Sequence, residues 1–430
     1  MKKSALLSAA LVVASIGFVS CGGARAALTT RVLASQSVSS PTARPGLYVI
    51  DGANDTLARG GIGAGNSPGL MAISPDRRTL VALSGTNTLE VVNTVASSLT
   101  GSITLPGSTT SMVIPVTDSG YAAVPSAPMN NGPSPGAVIA MNLTAGGITA
   151  TISVPNAQTV VSNPAGTQLL VFSNDSDVVT IISPLLLDPN GIPLTATVSG
   201  FDRPVYAVFS TDGSTAYVLN CGAECGGTQA SVQILNMSAT PPTLGALIPV
   251  NGATYSFLSG STLYVVGNGT PTGPLCTSIT NAAPTGAQYC GTLDLVNLTT
   301  MQDPYYNNPA TEIAITDGYH DRIDMSVNGQ LFIGSYGCTN IGNVNNPVGE
   351  VRGCLSIFNT TNSTVIFPPD NGDVTGLQSF TTRDVEYVAE GGYLRVYSTL
   401  IDSLLLNDFI ETGSINITGQ VIDVKAIDFF

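Results

Sequence analysis

Short apolar, β-branched runs recur along this chain, and each stops at a turn-forming residue: LYVID at Asp51, LEVVN at Asn93, VIAMN at Asn142, VVTIIS at Ser183, VQILN at Asn236, LDLVN at Asn297, LSIFN at Asn359 and LRVYS at Ser398. A period of roughly 40–60 residues is the mark of a repeat array in which each unit is one small sheet. Ahead of most of these runs lies a hairpin pattern, an apolar strand, a tight turn and a second apolar strand. GLMAISPDRRTLVAL from Gly69, TVVSNPAGTQLLVF from Thr159, YAVFSTDGSTAYVL from Tyr206 and RIDMSVNGQLFIGS from Arg322 are examples. Their Pro-Asp, Pro-Ala-Gly, Asp-Gly and Asn-Gly turns supply the preset or positive φ that short hairpin loops require. Each unit therefore reads as strand A, tight turn, strand B, variable loop, strand C, turn, strand D.

This pattern resembles the Tyr-Val-Thr-Asn family of β-propeller repeats, related to lactonase-like propellers, in which Ser-Pro-Asp-Gly separates strands A and B and Val-Ile-Asp/Asn-Thr ends strand C. The resemblance covers about Pro45 to Phe430 and implies an all-β propeller of four-stranded antiparallel blades. It says little about activity, because the shared positions are turn and core positions. Full units begin near Pro68, Thr109, Ala157, Arg203, Gly252, Asp321 and Thr375. The N-terminal LYVIDGANDTLARGGI is left as an orphan C–D pair and the C-terminal GQVIDVKAIDFF as an orphan A–B pair. Joined, they make an eighth blade and remove the open edges of the array. The repeat count thus gives eight blades, and the family pattern gives seven.

Composition agrees with many short strands: 43% of residues are apolar and only 10% charged, with 46 Gly and 27 Pro. A net charge of −14 without a basic cluster argues against nucleic acid. Residues 1–20, a Lys2-Lys3 start followed by the apolar run Ala5 to Val19, read as an export signal. Phe18-Val19-Ser20-Cys21 resembles a bacterial lipobox with Phe where Leu is usual, which makes Cys21 the expected lipidation site. Gly22 after it implies the outer membrane, facing the periplasm or the cell surface. Ala24-Arg25-Ala26 offers the rival, an ordinary cleavage site and a freely secreted protein. Residues 21–44 are expected to be a tether and 45–430 a single propeller domain. A membrane contact is expected through the lipid anchor only.

Either route leaves six thiols, and sequence neighbours suggest the pairs Cys221–Cys225, Cys276–Cys290 and Cys338–Cys354, one of about fifteen connectivities. All three fall in long loops between strands B and C. The sequons at Asn142, Asn236, Asn297 and Asn359 sit where the C–D turn needs an Asn, so turn chemistry accounts for them. Asn174-Asp175-Ser176-Asp177 matches no calcium loop, and no metal or cofactor is expected.

Chemistry is sparse. Two units begin with a recurrent Asp-Arg, Asp202-Arg203 and His320-Asp321-Arg322, and these are expected at the channel mouth on the same face as the B–C loops. Arg203 and Arg322 suit a carboxylate or phosphate, and His320, the chain's one histidine, suits proton transfer. The competing reading pairs each Asp with a neighbouring Arg. The first functional reading is a non-catalytic binding or scaffolding module for a protein, a glycan or a small anionic ligand, acting through the disulfide-pinned loops. The second is a lactonase-like hydrolase using His320, Arg322, Asp321, Arg203 and Asp202.

Overall fold

The computed structural model describes residues 28, 30–37, 46–65, 68–128, 135–269, 290–308, 310–338, 341–342, 351–352, 354–368, 372–400, 403–404 and 420–428. Strand-length apolar runs punctuated by positive-φ turns leave one 3₁₀ turn, Gly222–Cys225, as the only helical element among them. Eight four-stranded antiparallel sheets result, and the chain is an eight-bladed β-propeller. Blades 1 to 7 begin with inner strands A at Pro68–Ile73, Ser111–Val116, Ala157–Ser162, Pro204–Phe209, Tyr255–Ser259, Tyr319–Met325 and Val374–Ser379. Each then pairs outward through B and C to D.

Blade 8 closes the ring from both chain ends, but by three strands and one rather than by two pairs. Its inner strand is Gln420–Ala426, followed outward by Arg31–Ser37, Leu47–Asp51 and Thr56–Ile62. Arg31–Ser37, expected within the tether, is thus strand B of the closing blade, in register with both neighbours. Polar Ser35 and Gln36 dilute its apolar signal, yet both are fully buried alongside Val32, Leu33 and Ala34. The signal segment, Cys21 and Cys276 lie outside the described residues.

Strand alternation sends side chains to the two faces of each blade, so the core is divided into eight clusters, one per seam. Leu170, Phe172, Phe201 and Phe209 fill the seam between blades 3 and 4, for example, and Phe332, Ile357, Val388 and Tyr397 the seam between 6 and 7. The C-strand terminal residues do what their type predicted. Asn93, Asn142, Asn236, Asn297 and Asn359 each accept a backbone N–H two or three residues on through Oδ1.

Around the closing strand the fit is close. Asp423, 2% exposed, accepts the Met71 amide of blade 1 through Oδ2 at 3.0 Å and the Lys425 ammonium through Oδ1 at 2.8 Å. A Cβ on Gly376 of blade 7 would stand 2.9 Å from that Oδ1 and 3.0 Å from the Val424 nitrogen, which has no room to retreat. Gly376→Ala is therefore expected to destabilise the protein by about 1–3 kcal/mol in urea denaturation, an overpacking cost in a strand that cannot shift.

Candidate functional site: the central channel

The inner strands enclose a cavity of about 930 Å³. Its two sides differ. Blades 1 to 3 line it with neutral side chains such as Leu70, Met112, Gln158 and Val160, Asp175 of blade 3 excepted, whereas blades 4, 5, 6 and 8 contribute Arg203, Tyr206, Tyr255, Asp321, Arg322, Asp423 and Lys425.

A recurrent β-bulge sets this lining. In six inner strands one extra residue is inserted against strand B near the strand's start: Gln158, Val205, Asp321 and Thr375, and the equivalents at Gly69-Leu70 and Ile422-Asp423; blade 2 bulges further along, at Ile114-Pro115. Strict alternation would send neighbours to opposite faces; the bulge breaks it. Asp321 and Arg322 both reach the channel for this reason.

The Arg322 guanidinium is fixed on two sides. Nε donates to the Thr375 carbonyl of blade 7 at 3.0 Å, and Nη1 to the Asp321 carbonyl at 2.8 Å and carboxylate at 3.0 Å. Nη2 has no partner among the described residues, and the side chain keeps 29% exposure to the channel. Burial raises the Asp321 carboxyl and the adjoining Arg322 charge only partly offsets this; its Oδ1 is buried without a partner. Tyr206 and Tyr255 stack beside Arg322 with ring centroids 4.1 Å apart, and burial pushes both phenols up.

At the upper mouth stand Tyr319 and Tyr336, 5.3 Å apart, and Cys225 of the Cys221–Cys225 bridge. Glu224 within that bridged turn accepts the Asn268 backbone and side-chain amides, both at 2.9 Å, tying blade 4 to blade 5. Burial lifts its carboxyl from 4.5 to about 7 despite those bonds. Cys338–Cys354 also forms, in the B–C loop of blade 6. Of the loops expected to border the channel, the one holding Cys221–Cys225 does so, through Cys225.

The other expected site residues are placed differently. His320 is not at the mouth: it is fully buried at the seam of blades 5 and 6, and Nε2–H donates to the Thr316 carbonyl at 2.9 Å. Nδ1 is buried without a partner, and burial lowers the imidazole to about 4, so it is neutral and has no access to a ligand. Asp202 turns away from Arg203 to hold its own blade's loop, accepting the Thr228 amide at 2.9 Å and the Gln229 amide at 2.8 Å. Burial raises its carboxyl, but those bonds and the Thr228 hydroxyl outweigh it and hold it below the usual range. Arg203 lies instead within 3.8 and 3.9 Å of Asp175 and Asp177, the residues of the rejected calcium reading. Among the described residues no group of three or more His, Cys, Asp or Glu could hold a metal ion. The tyrosines, Asp423 and Lys425 carry no sequence signal beyond their strand positions, and Glu224 none beyond its place between Cys221 and Cys225.

No protein-family model and no curated protein sequence matches the chain. Among solved structures it is similar to the dihydro-haem d1 dehydrogenase NirN, at 11% identity over 93% of this chain and 75% of that one, with a TM-score of 0.60. It also aligns with the periplasmic gluconolactonase PpgL of Pseudomonas aeruginosa, at 14% identity over 92% and 98% of the two chains, TM-score 0.45. A protein described as a 6-phosphogluconolactonase from Bacteroides fragilis aligns at 11% identity over 94% and 99%, TM-score 0.49. At such identities the likeness is one of fold.

Proposed function

We propose that the protein is an exported, non-catalytic binding propeller that admits a small anionic ligand, such as an acidic sugar unit, to its channel from the face carrying the disulfide-pinned loops. The Arg322 guanidinium carries this reading: it is immobilised through Nε and Nη1, and its Nη2 opens on a cavity whose same wall holds the Tyr206–Tyr255 pair. A preset cation beside aromatic faces suits a ligand with one anionic group and one apolar face. The two bridges fit an oxidising compartment, and Cys21 supplies the anchor at the outer membrane.

Isothermal titration against carboxylated and phosphorylated monosaccharides tests the proposal. Arg322→Met, similar in length and uncharged, is expected to weaken binding about ten- to a hundredfold, the worth of a charge-assisted bond. Absence of binding across the panel, or affinity unchanged in the variant, defeats it. One observation favours a second reading, hydrolysis: the Asp321 carboxyl, raised by burial, keeps 28% of its side chain exposed to the channel and has proton-transfer capacity there. In that case Asp321→Asn would abolish turnover of a bound lactone and leave its binding intact.

A further inference from the structure

Blade 3 departs from the repeat at its C–D hairpin. Strand C runs ten residues, Val178–Leu187, against five or six in blades 1, 2, 4, 6, 7 and 8. The overhang carries Leu185, Leu186 and Leu187 at 73%, 59% and 56% exposure, with Ile192 exposed in the turn and Leu194 on the return strand. The tip is preorganised. Asp188 accepts the Asn190 and Ile192 amides through Oδ1, both at 2.8 Å, and the Ile192 carbonyl accepts the Asp188 amide at 2.8 Å.

We infer that this hairpin tip is a membrane-insertion element, seating Leu185, Leu186 and Leu187 in the lipid interface on the anchored side of the propeller. The inference rests on the Cys21 anchor proposed above. Four observations select lipid over other occupants. Three consecutive leucines are exposed across a bulge in which Ser183 faces Leu194 and Leu187 faces Pro193, so none of the three is turned to the core, and an isotropic apolar medium suits them where a flat protein surface covers one side only. Pro184, Pro189 and Pro193 remove amide donors from the hairpin, which disfavours strand addition by a second copy. Asp188 is the one charged residue in 178–199, and its carboxylate is occupied by the turn.

The fourth observation is direction. Strand B of a blade starts on the side of the A–B and C–D turns, and Arg31 opens strand B of blade 8 there, bonded to Thr94 and Ser97 of the blade 1 C–D turn. The blade 3 tip is itself a C–D turn, on that same side. Ten peptide units separate Cys21 from Arg31, a reach of at most about 35 Å. An anchor at Cys21 would therefore hold the leucine tip towards the bilayer and turn the disulfide-bearing mouth away from it.

The chain contains no Trp, so Leu186→Trp makes a single reporter at the tip. The full-length protein carrying it, lipidated and separately as Cys21→Ser, is mixed with phosphatidylcholine vesicles, with and without brominated lipid. The expected result is a blue shift and bromine quenching in both forms, and roughly tenfold weaker vesicle partitioning of Cys21→Ser protein when all three leucines become serine. Phosphatidylglycerol should weaken it further, since the chain carries −14. A Trp spectrum unmoved in the lipidated protein on vesicles overturns the inference while leaving the anchor intact. A blue shift in Cys21→Ser with no lipid found on the native protein keeps the tip and removes the anchor. Self-association abolished by the leucine changes, with no vesicle binding, overturns it in favour of a second copy.

Discussion

Asp55→Ala should be among the most damaging single substitutions in the molecule, costing about 3–5 kcal/mol. Asp55 sits in the C–D turn of blade 8 and receives a bidentate fork from Arg383 in the A–B turn of blade 7, Nη1 to Oδ1 at 2.6 Å and Nη2 to Oδ2 at 2.7 Å. The Tyr387 hydroxyl also donates to it, and the Gly52 carbonyl accepts from Arg383. Beneath lies the aromatic pair Phe380 and Tyr387, edge to face at 4.8 Å, with the guanidinium carbon 5.8 Å from the Phe380 ring centre.

Truncating Asp55 strands a partly buried cation and the hydroxyl of the fully buried Tyr387 at the seam where the ring is shut by the chain's two ends. It also places Ala at a φ of 52°, where Asp is better tolerated. Asp55→Asn separates these terms. It keeps the backbone preference and the Tyr387 acceptor but turns a donor towards Arg383, so it should lose clearly less than the Ala variant. Denaturant midpoints of both proteins check this. Equal midpoints for Asp55→Ala and wild type would mean the seam is held by its apolar cluster alone.

That seam illustrates how far the sequence could be read. Turn residues and β-branched runs are local signals, so seven of the eight C-strand endings, the A–B turns and seven of the eight blade starts could be located from them, whereas the ending expected at Ser183 runs on to Leu187; two bridges pair as neighbouring cysteines suggested. Arg31–Ser37 escaped because its buried polar residues, Ser35 and Gln36, carry no apolar period. The channel was harder still. Whether Asp321 and Arg322 share a face depends on a bulge, which is a register event between strands and has no composition of its own. His320 shows the same limit: one residue before the bulge it points into a seam instead of the cavity. Tyr206, Tyr255, Tyr319 and Tyr336 belong to three blades and meet only when the ring closes.

His320 and Glu224 should bend the pH profile of stability in opposite directions over one shared window. His320 titrates near 4 in the fold against 6.5 when free. Between those values the unfolded chain takes up a proton that the folded protein refuses, so stability falls as pH drops from 6.5 towards 4, by about 3 kcal/mol in all. Glu224 behaves in the reverse sense. Its folded value of about 7 lies above 4.5, so the folded state holds a proton that the unfolded chain has lost, and stability falls as pH rises from 4.5 through 7. The Glu224 effect is the smaller, because its side chain retains some solvent. Denaturant unfolding at a series of pH values should therefore show His320→Gln losing less stability than wild type on acidification, and Glu224→Gln losing more. The other buried carboxyls, Asp294, Asp324 and Glu386, are common to all three proteins and cancel in the differences. Parallel profiles for His320→Gln and wild type would show that the imidazole reaches water and protonates in the folded state, and would return it to consideration as a channel group.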